Sequence, residues 1–174
     1  MKLIRDGATG LKTLPAFPVV LVTVGQNILT AAAFSFYSFE PPSVMIGIKP
    51  ARYSFELICK LKEFGINIPT ADQLSLTEYC GTVSGRNVNK FEEADITPME
   101  SIKIQSSLIR ECPVNLECKV VSTIDWEGSH RWFIGRIECA HIAEDYSRDQ
   151  ALMFWLGQYR KVGEVLHGKQ RIDF

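Results

Sequence analysis

The chain has 174 residues, 46% of them apolar and 22% charged, with a formal net charge of −1 and a pI near 6.3. That size and apolar content suit one soluble domain over residues 1–174, and a near-neutral balance argues against nucleic acid as a partner. No apolar run approaches the ~20 residues that span a bilayer, and the charged start Met1-Lys2-Leu3-Ile4-Arg5-Asp6 lacks a signal-peptide core. The expected setting is therefore the cytoplasm, with no membrane partner.

Phe17–Val24 is apolar and rich in β-branched residues, which predicts a strand. Gly25-Gln26-Asn27 supplies turn chemistry, and Leu29–Phe36 is expected to return as a second strand. The centre of that strand is unusual. Thr30-Ala31-Ala32-Ala33-Phe34-Ser35, with Ser38 beyond, puts small and hydroxyl-bearing side chains where a core strand carries Val, Ile or Leu. Small side chains leave room beside the backbone, so a flat ligand could lie there and use main-chain N–H and C=O groups. Pro41-Pro42 interrupts pairing, and Val44–Ile48 reads as a third strand.

Arg52–Phe64 is predicted as a helix, with Phe55, Ile58 and Leu61 at helical spacing. Ile66-Asn67-Ile68 is a short strand. Thr70 and Gln73 form a capping box ahead of a helix over Gln73–Val83, and Ser84–Glu100 is a polar loop. Ile102–Ile109 and Leu116–Ile124 read as strands; in the second, Cys118, Val120 and Ile124 point one way and Glu117, Lys119 and Thr123 the other. Glu127–His130 is a hairpin turn and Arg131–Ile142 the returning strand. The tail, Ser147–Leu166, is expected to carry a helix through Ala151–Leu156. Strands on both sides of two central helices predict a mainly β fold, an antiparallel barrel with inserted helices.

Three polar clusters accompany the small-residue segment. Lys49-Pro50-Ala51-Arg52-Tyr53-Ser54 leads from a strand into a helix, where free N–H groups, Arg52 and Ser54 suit an anion. Taken alone, the commoner use of such residues is a helix cap and a solvated arginine. Ser84-Gly85-Arg86-Asn87-Val88-Asn89-Lys90 could clamp phosphate, though polar surface loops share this composition; no Walker or GxGxxG spacing is present. His130 sits at a hairpin tip, where its neighbours in sequence complete no plausible base-and-nucleophile set. His141 and His167 show no ligand-like spacing with it, and the five cysteines (Cys59, Cys80, Cys112, Cys118, Cys139) include no CxxC pair. The cysteines therefore read as buried thiols, and no metal site is expected. The aromatics Trp126, Trp132, Phe133, Phe154, Trp155 and Tyr159 read as core in the main, with a flat-ligand wall as the other use.

Together these segments resemble the flavin reductase-like family with the FMN-binding split-barrel fold, which includes flavoredoxin-type proteins. The resemblance rests on Pro18–Thr23, on Asn27 with Thr30–Ser35 and Ser38, and on Pro41-Pro42. It continues through Arg52, Ser54, Phe64–Asn67, Ser84-Gly85-Arg86 and Lys90-Phe91 to Leu116-Glu117-Cys118, Gly128-Ser129-His130 and Gly135. It implies a six-stranded antiparallel split β-barrel and a homodimer with FMN near the subunit interface. Thr30, Ala31 and Ala32 would touch the flavin ring or ribityl chain. Ser35, Arg52 and Ser54 would hold ribityl and phosphate groups, with Asn27 and Lys49 beside them and Ser84, Arg86 and Lys90 contributing from one subunit or the other. His130 would contact the nicotinamide side, although the family's usual Gly-Asp-His here reads Gly128-Ser129-His130. The implied activity is hydride transfer from NADH or NADPH to flavin, which needs no strong protein acid or base because the cofactor carries the chemistry, with a downstream electron acceptor. The alternatives are an FMN-binding electron carrier without its own NAD(P)H site, and a barrel binding another small aromatic ligand.

Overall fold

Ala31–Ala33 are the small residues at a bend by which one stretch of chain serves two edges of the same sheet. The computed structural model describes residues 2–165. In chain order these form α1 (Gly7–Lys12), β1 (Phe17–Pro18), β2 (Val20–Val24), β3 (Asn27–Ala31), β4 (Phe34–Ser38), β5 (Ser43–Ile48), α2 (Tyr53–Leu61) and β6 (Glu63–Ile68). There follow α3 (Leu74–Thr82), α4 (Lys90–Glu93), β7 (Pro98–Met99), β8 (Leu108–Ile109), β9 (Val114–Ile124), β10 (Arg131–Ile142), β11 (Leu152–Trp155) and β12 (Gln158–Lys161). The main sheet is antiparallel throughout and runs β3-β2-β6-β9-β10-β5-β4.

β3 and β4 are one stretch bent at Ala32-Ala33. β3 pairs with β2, β4 pairs with β5, and between them Ala33 O accepts from Gly47 N at 2.7 Å. Counted as a single bent strand they make the sheet six-stranded and bring its two edges together. The expected mainly β split barrel with inserted helices is the architecture observed.

β2 explains its own composition. Val20, Val22 and Val24 face the barrel interior with Ile46, Phe64, Ile66 and Phe133, while Leu21 faces a second cluster with Ile28, Cys80, Phe91 and Ile109. A strand buried on both faces reads as an unbroken apolar run. Each large side chain fully withdrawn from water contributes ~1.5–3 kcal/mol. Ile58 carries α2 onto the first cluster, with Phe55 5.5 Å from Phe133, and the second cluster clamps α3 and α4 over β3.

Several expectations change. The helix from Arg52 stops at Leu61, because Lys62 takes a left-handed conformation (φ 57°) and Glu63-Phe64 already belong to β6. The Thr70–Gln73 capping box is present, but on a short 3-10 turn ahead of α3. The polar loop after Ser84 contains α4, capped by Asn89. Ile102–Ser107 is not a strand. Its N–H groups turn onto buried carboxylates: Ile102, Lys103 and Ile104 donate to Glu117, and Gln105 and Ser106 to Glu63. Glu117, expected on the polar face, is fully buried for this purpose. The tail is a hairpin rather than a helix: β11 and β12 turn at Leu156 (φ 48°) and Gly157 (φ 82°), and β11 pairs with β1. Leu166 and His167 lie outside the described residues. No helix among the described residues is long and apolar enough to cross a membrane.

Candidate functional site

The β3–β4 bend, the end of β5, the start of α2, the last turn of α3 and the β9–β10 loop converge on one cleft. Thr30, Ala31, Ala32 and Ala33 line it with Gly47, Ile48, Lys49, Arg52, Gly81 and His130, around a volume of ≈ 130 Å³. The alanines do here what their size suggests. Ala31 packs its methyl into the core, so it meets the cleft through its backbone, and Ala32 is half-buried at the bend. Thr30 Oγ1 donates to Thr77 O at 2.6 Å, which ties the strand to α3. A Cβ on Gly81 would stand 3.2 Å from Thr30 Cβ, a contact tight enough that Thr30 would have to give way slightly.

The cleft continues into a narrow polar recess lined by Asn27, Arg52, Ser54, Ser84, Gly85 and Lys90. Arg52 is the N-cap of α2, and its side chain makes no capping bond. The first N–H groups of a helix have no intrahelical acceptor, and the dipole favours negative charge there. Ser54, in the first turn, does not cap the helix: its Oγ accepts from Asn27 Nδ2 at 2.7 Å, and both residues are buried. Asn27 Oδ1 is buried with no hydrogen-bond partner among the described residues. Turned over, the same amide accepts from Ser54 and offers Nδ2 to the recess instead. Gly85 lies against this amide so closely that a Cβ would overlap Oδ1.

Lys90 is 2% exposed, and its Nζ donates to Ile28 O and Cys80 O, both at 2.7 Å. Burial lowers its pKa, with the nearby Cys80 opposing and Arg52 adding to that fall. It stands behind the recess and holds the end of α3 to β3. Burial also pushes the Cys80 thiol up to about 11. Ser84 Oγ accepts from Arg86 N at 3.3 Å.

The other expected site residues are placed unequally. His130 reaches the cleft and contacts Ser129 through Nδ1 at 2.8 Å; burial first, and Lys49 second, lower its pKa. Arg86 pairs with Glu56, stacks 4.9 Å from the Tyr53 ring centre, and borders a neighbouring cleft of ≈ 400 Å³ with Gln26 and Asn27. Ser35 is exposed on β4 and paired with Met45, beyond the bend and not among the residues lining the Thr30–His130 cleft.

One wall is built from aromatics that the sequence offered as a flat-ligand wall only as their less common use. A broader cleft of ≈ 790 Å³ shares Thr30, Ala32, Arg52 and Gly81 with the first, and its far side is Tyr79 with Phe154, Gly157 and Tyr159 of the tail hairpin. Phe154 and Tyr159 stack at 4.8 Å. Their hairpin carries no pattern that distinguishes it from a short helix. Of the remaining aromatics singled out, Phe133 is core and Trp126 is exposed.

These residues fit a flat ring with an anionic tail. The bend offers backbone edges and little side-chain bulk, the broader cleft offers aromatic faces, and the recess offers a helix start, Arg52 and an unsatisfied amide. The model of the flavin reductase like domain matches residues 14–163. The chain belongs to that family. Among its relatives, a protein of Archaeoglobus fulgidus is 37% identical over 127 residues, 73% of this chain and 71% of the relative. The NADH-dependent flavin reductase StyB of Pseudomonas fluorescens is 27% identical over 143 residues, 81% of this chain and 73% of StyB. Among solved structures, flavoredoxin of Desulfovibrio vulgaris superposes with a TM-score of 0.82 at 26% identity, covering 95% of this chain and 97% of the flavoredoxin.

Proposed function

We propose that this flavin reductase-like protein binds FMN and transfers hydride to it from NADH or NADPH. The observation that carries the reading is the continuity of the alanine bend with the Arg52–Ser54 recess, where a buried Asn27 amide oxygen has no partner. The backbone of Thr30–Ala33 would take the ring edge. Arg52, Ser54, Ser84 and the start of α2 would take the phosphate, with Asn27 completing its hydrogen bonds through that group and Lys90 standing behind it. Bound flavin would supply the hydride-accepting chemistry. The residues present orient and enclose it, which suits a site holding no Ser-His-Asp set. His130 and Lys49 line the same cleft and would help position the nicotinamide.

The chain also exposes Phe36 and Tyr37 on β4. Exposed apolar surface of that kind supports a homodimer as the working form, in which Ser35 and Arg86 would be available to the partner's edge of the site. Five free cysteines suit a reducing, cytoplasmic compartment. The charge balance gives no support to nucleic acid or membrane as partners. A second reading, an FMN-holding electron carrier that receives its electrons from another protein, is favoured by the similarity to flavoredoxin. Both readings require FMN. Titration with FMN, followed by quenching of flavin fluorescence, should saturate; a chain that leaves the fluorescence of added FMN unchanged refutes both.

A further inference from the structure

β9 and β10 carry a second constellation, whose residues line none of the clefts described above. Cys139 stands opposite Glu117, and His141 opposite Asn115. Alternate residues of a strand share a face, so Cys139 and His141 project together and Glu117 joins them from across the ladder. A register shift between Ile137 and Cys139 produces this arrangement by leaving Glu138 without a partner in the ladder. Without it Glu138 would oppose Glu117, carboxylate against carboxylate. Bulges commonly re-aim side chains in this way.

His141 Nε2 lies 2.7 Å from Glu117 Oε1 and 3.9 Å from Cys139 Sγ, and one donor atom of each of the three lies within 4.8 Å of the others. Metal–ligand bonds of about 2.0–2.3 Å at tetrahedral angles separate neighbouring donors by roughly 3.2–3.7 Å. The three side chains stand near that spacing, and His141 needs to swing only by a fraction of its side-chain freedom. Glu117 is already oriented: the N–H groups of Ile102, Lys103 and Ile104 hold its carboxylate at 2.9, 2.5 and 3.1 Å. Outer hydrogen bonds of this kind are what fix a ligating carboxylate. His141 is a quarter exposed, which gives an ion a way in.

We propose that Glu117, Cys139 and His141 bind a divalent metal ion of zinc type, with a solvent molecule as fourth ligand. One sulfur, one imidazole nitrogen and one carboxylate oxygen suit zinc or cobalt(II) and disfavour magnesium or calcium, which take oxygen. Binding releases the Cys139 thiol proton to solvent. It uses neutral His141 with its proton on Nδ1, so that Nε2 exchanges its contact with Glu117 for the metal. The site ties β10 to the Ile102–Ile104 segment. The sequence hides it because Glu117 and His141 are brought together by strand pairing alone.

The test is cobalt(II) titration of the full, untagged chain after treatment with a chelator. Thiolate-to-cobalt charge-transfer absorption with tetrahedral d–d bands should saturate at one equivalent and be displaced by zinc. Cys139→Ser should abolish the charge-transfer band, His141→Ala should weaken binding by about tenfold or more, and Cys59→Ser should leave the band intact. Zinc should also protect Cys139 of the unaltered chain from alkylation, read by mass spectrometry, which keeps the test open if a variant misfolds. No band at about tenfold excess of cobalt, a band that survives Cys139→Ser, or alkylation of Cys139 at the same rate with and without zinc would overturn the proposal and leave Glu117–His141 as an ion pair only.

Discussion

Asn27 Nδ2 donates to Ser54 Oγ at 2.7 Å, a buried bond that joins the start of β3 to the first turn of α2. The two segments meet at the recess assigned to phosphate, so this one contact sets the angle between the ring-binding bend and the anion-binding helix start. Gly85 packs on the far side of the same amide. Gly85→Ala should push Asn27 away from Ser54, lowering stability by ~1–3 kcal/mol as buried polar groups lose partners and weakening FMN in parallel. In an Asn27→Ala background the same substitution should cost much less. A double-mutant cycle by urea denaturation measures this; fully additive losses would show that Gly85 does not act through Asn27.

Arg52 lines the recess and its side chain makes no hydrogen bond or ion pair among the described residues, so its guanidinium is available there. Arg52→Ala should weaken FMN by roughly tenfold or more, since a hydrogen bond to a charged group contributes ~1.5–3 kcal/mol. Riboflavin, which lacks the phosphate, should bind almost as before. Fluorescence titration with both ligands separates the cases, and an equal loss for both would remove Arg52 from the phosphate role.

Lys90 was legible as a positive charge near the site but not as a strut. Its ammonium satisfies the Ile28 and Cys80 carbonyls, the second within the last turn of α3, where cations are favoured. Lys90→Met keeps the stem and removes the donors. The two carbonyls left unpaired should lower stability by ~1–3 kcal/mol, against a smaller gain from no longer burying a charge. Denaturation midpoints measure it; a variant as stable as the parent would show that the buried charge costs as much as its bonds return.

His130 titrates below the ordinary histidine value because it is partly buried and faces Lys49. On acidification the unfolded chain takes up this proton first. The stability contributed by the neutral ring is thus complete above about pH 6.5 and lost as the pH falls toward the folded value. Lys49→Met removes the cation that disfavours protonation, so the midpoint should rise while burial keeps it below the unfolded value. NMR titration of the imidazole reads this directly, and an unmoved or lower midpoint in the variant would contradict it.

Much of the barrel was legible where local pattern and tertiary role agree. Val20–Val24 is apolar without interruption because it is buried on both faces, and Arg131–Ile142 has the limits its pattern predicts. The small-residue bend pointed to a binding wall because Ala31–Ala33 interrupt a strand pattern that is otherwise apolar and bulky. Three failures share one cause, partners distant in sequence. Ile102–Ser107 has strand-like composition, but Glu117 and Glu63 take its N–H groups. Ala151–Leu156 reads as helix until the pairing of β11 with β1 decides otherwise. Ser54 looks like a cap and instead serves Asn27, 27 residues away.

The central claim is tested most directly by anaerobic stopped-flow mixing of the FMN-loaded protein with NADH and, separately, with NADPH. At least one nucleotide should bleach the flavin absorbance, at a rate that saturates with its concentration. Flavin that stays oxidised with both donors would contradict it and leave the electron carrier as the reading that stands.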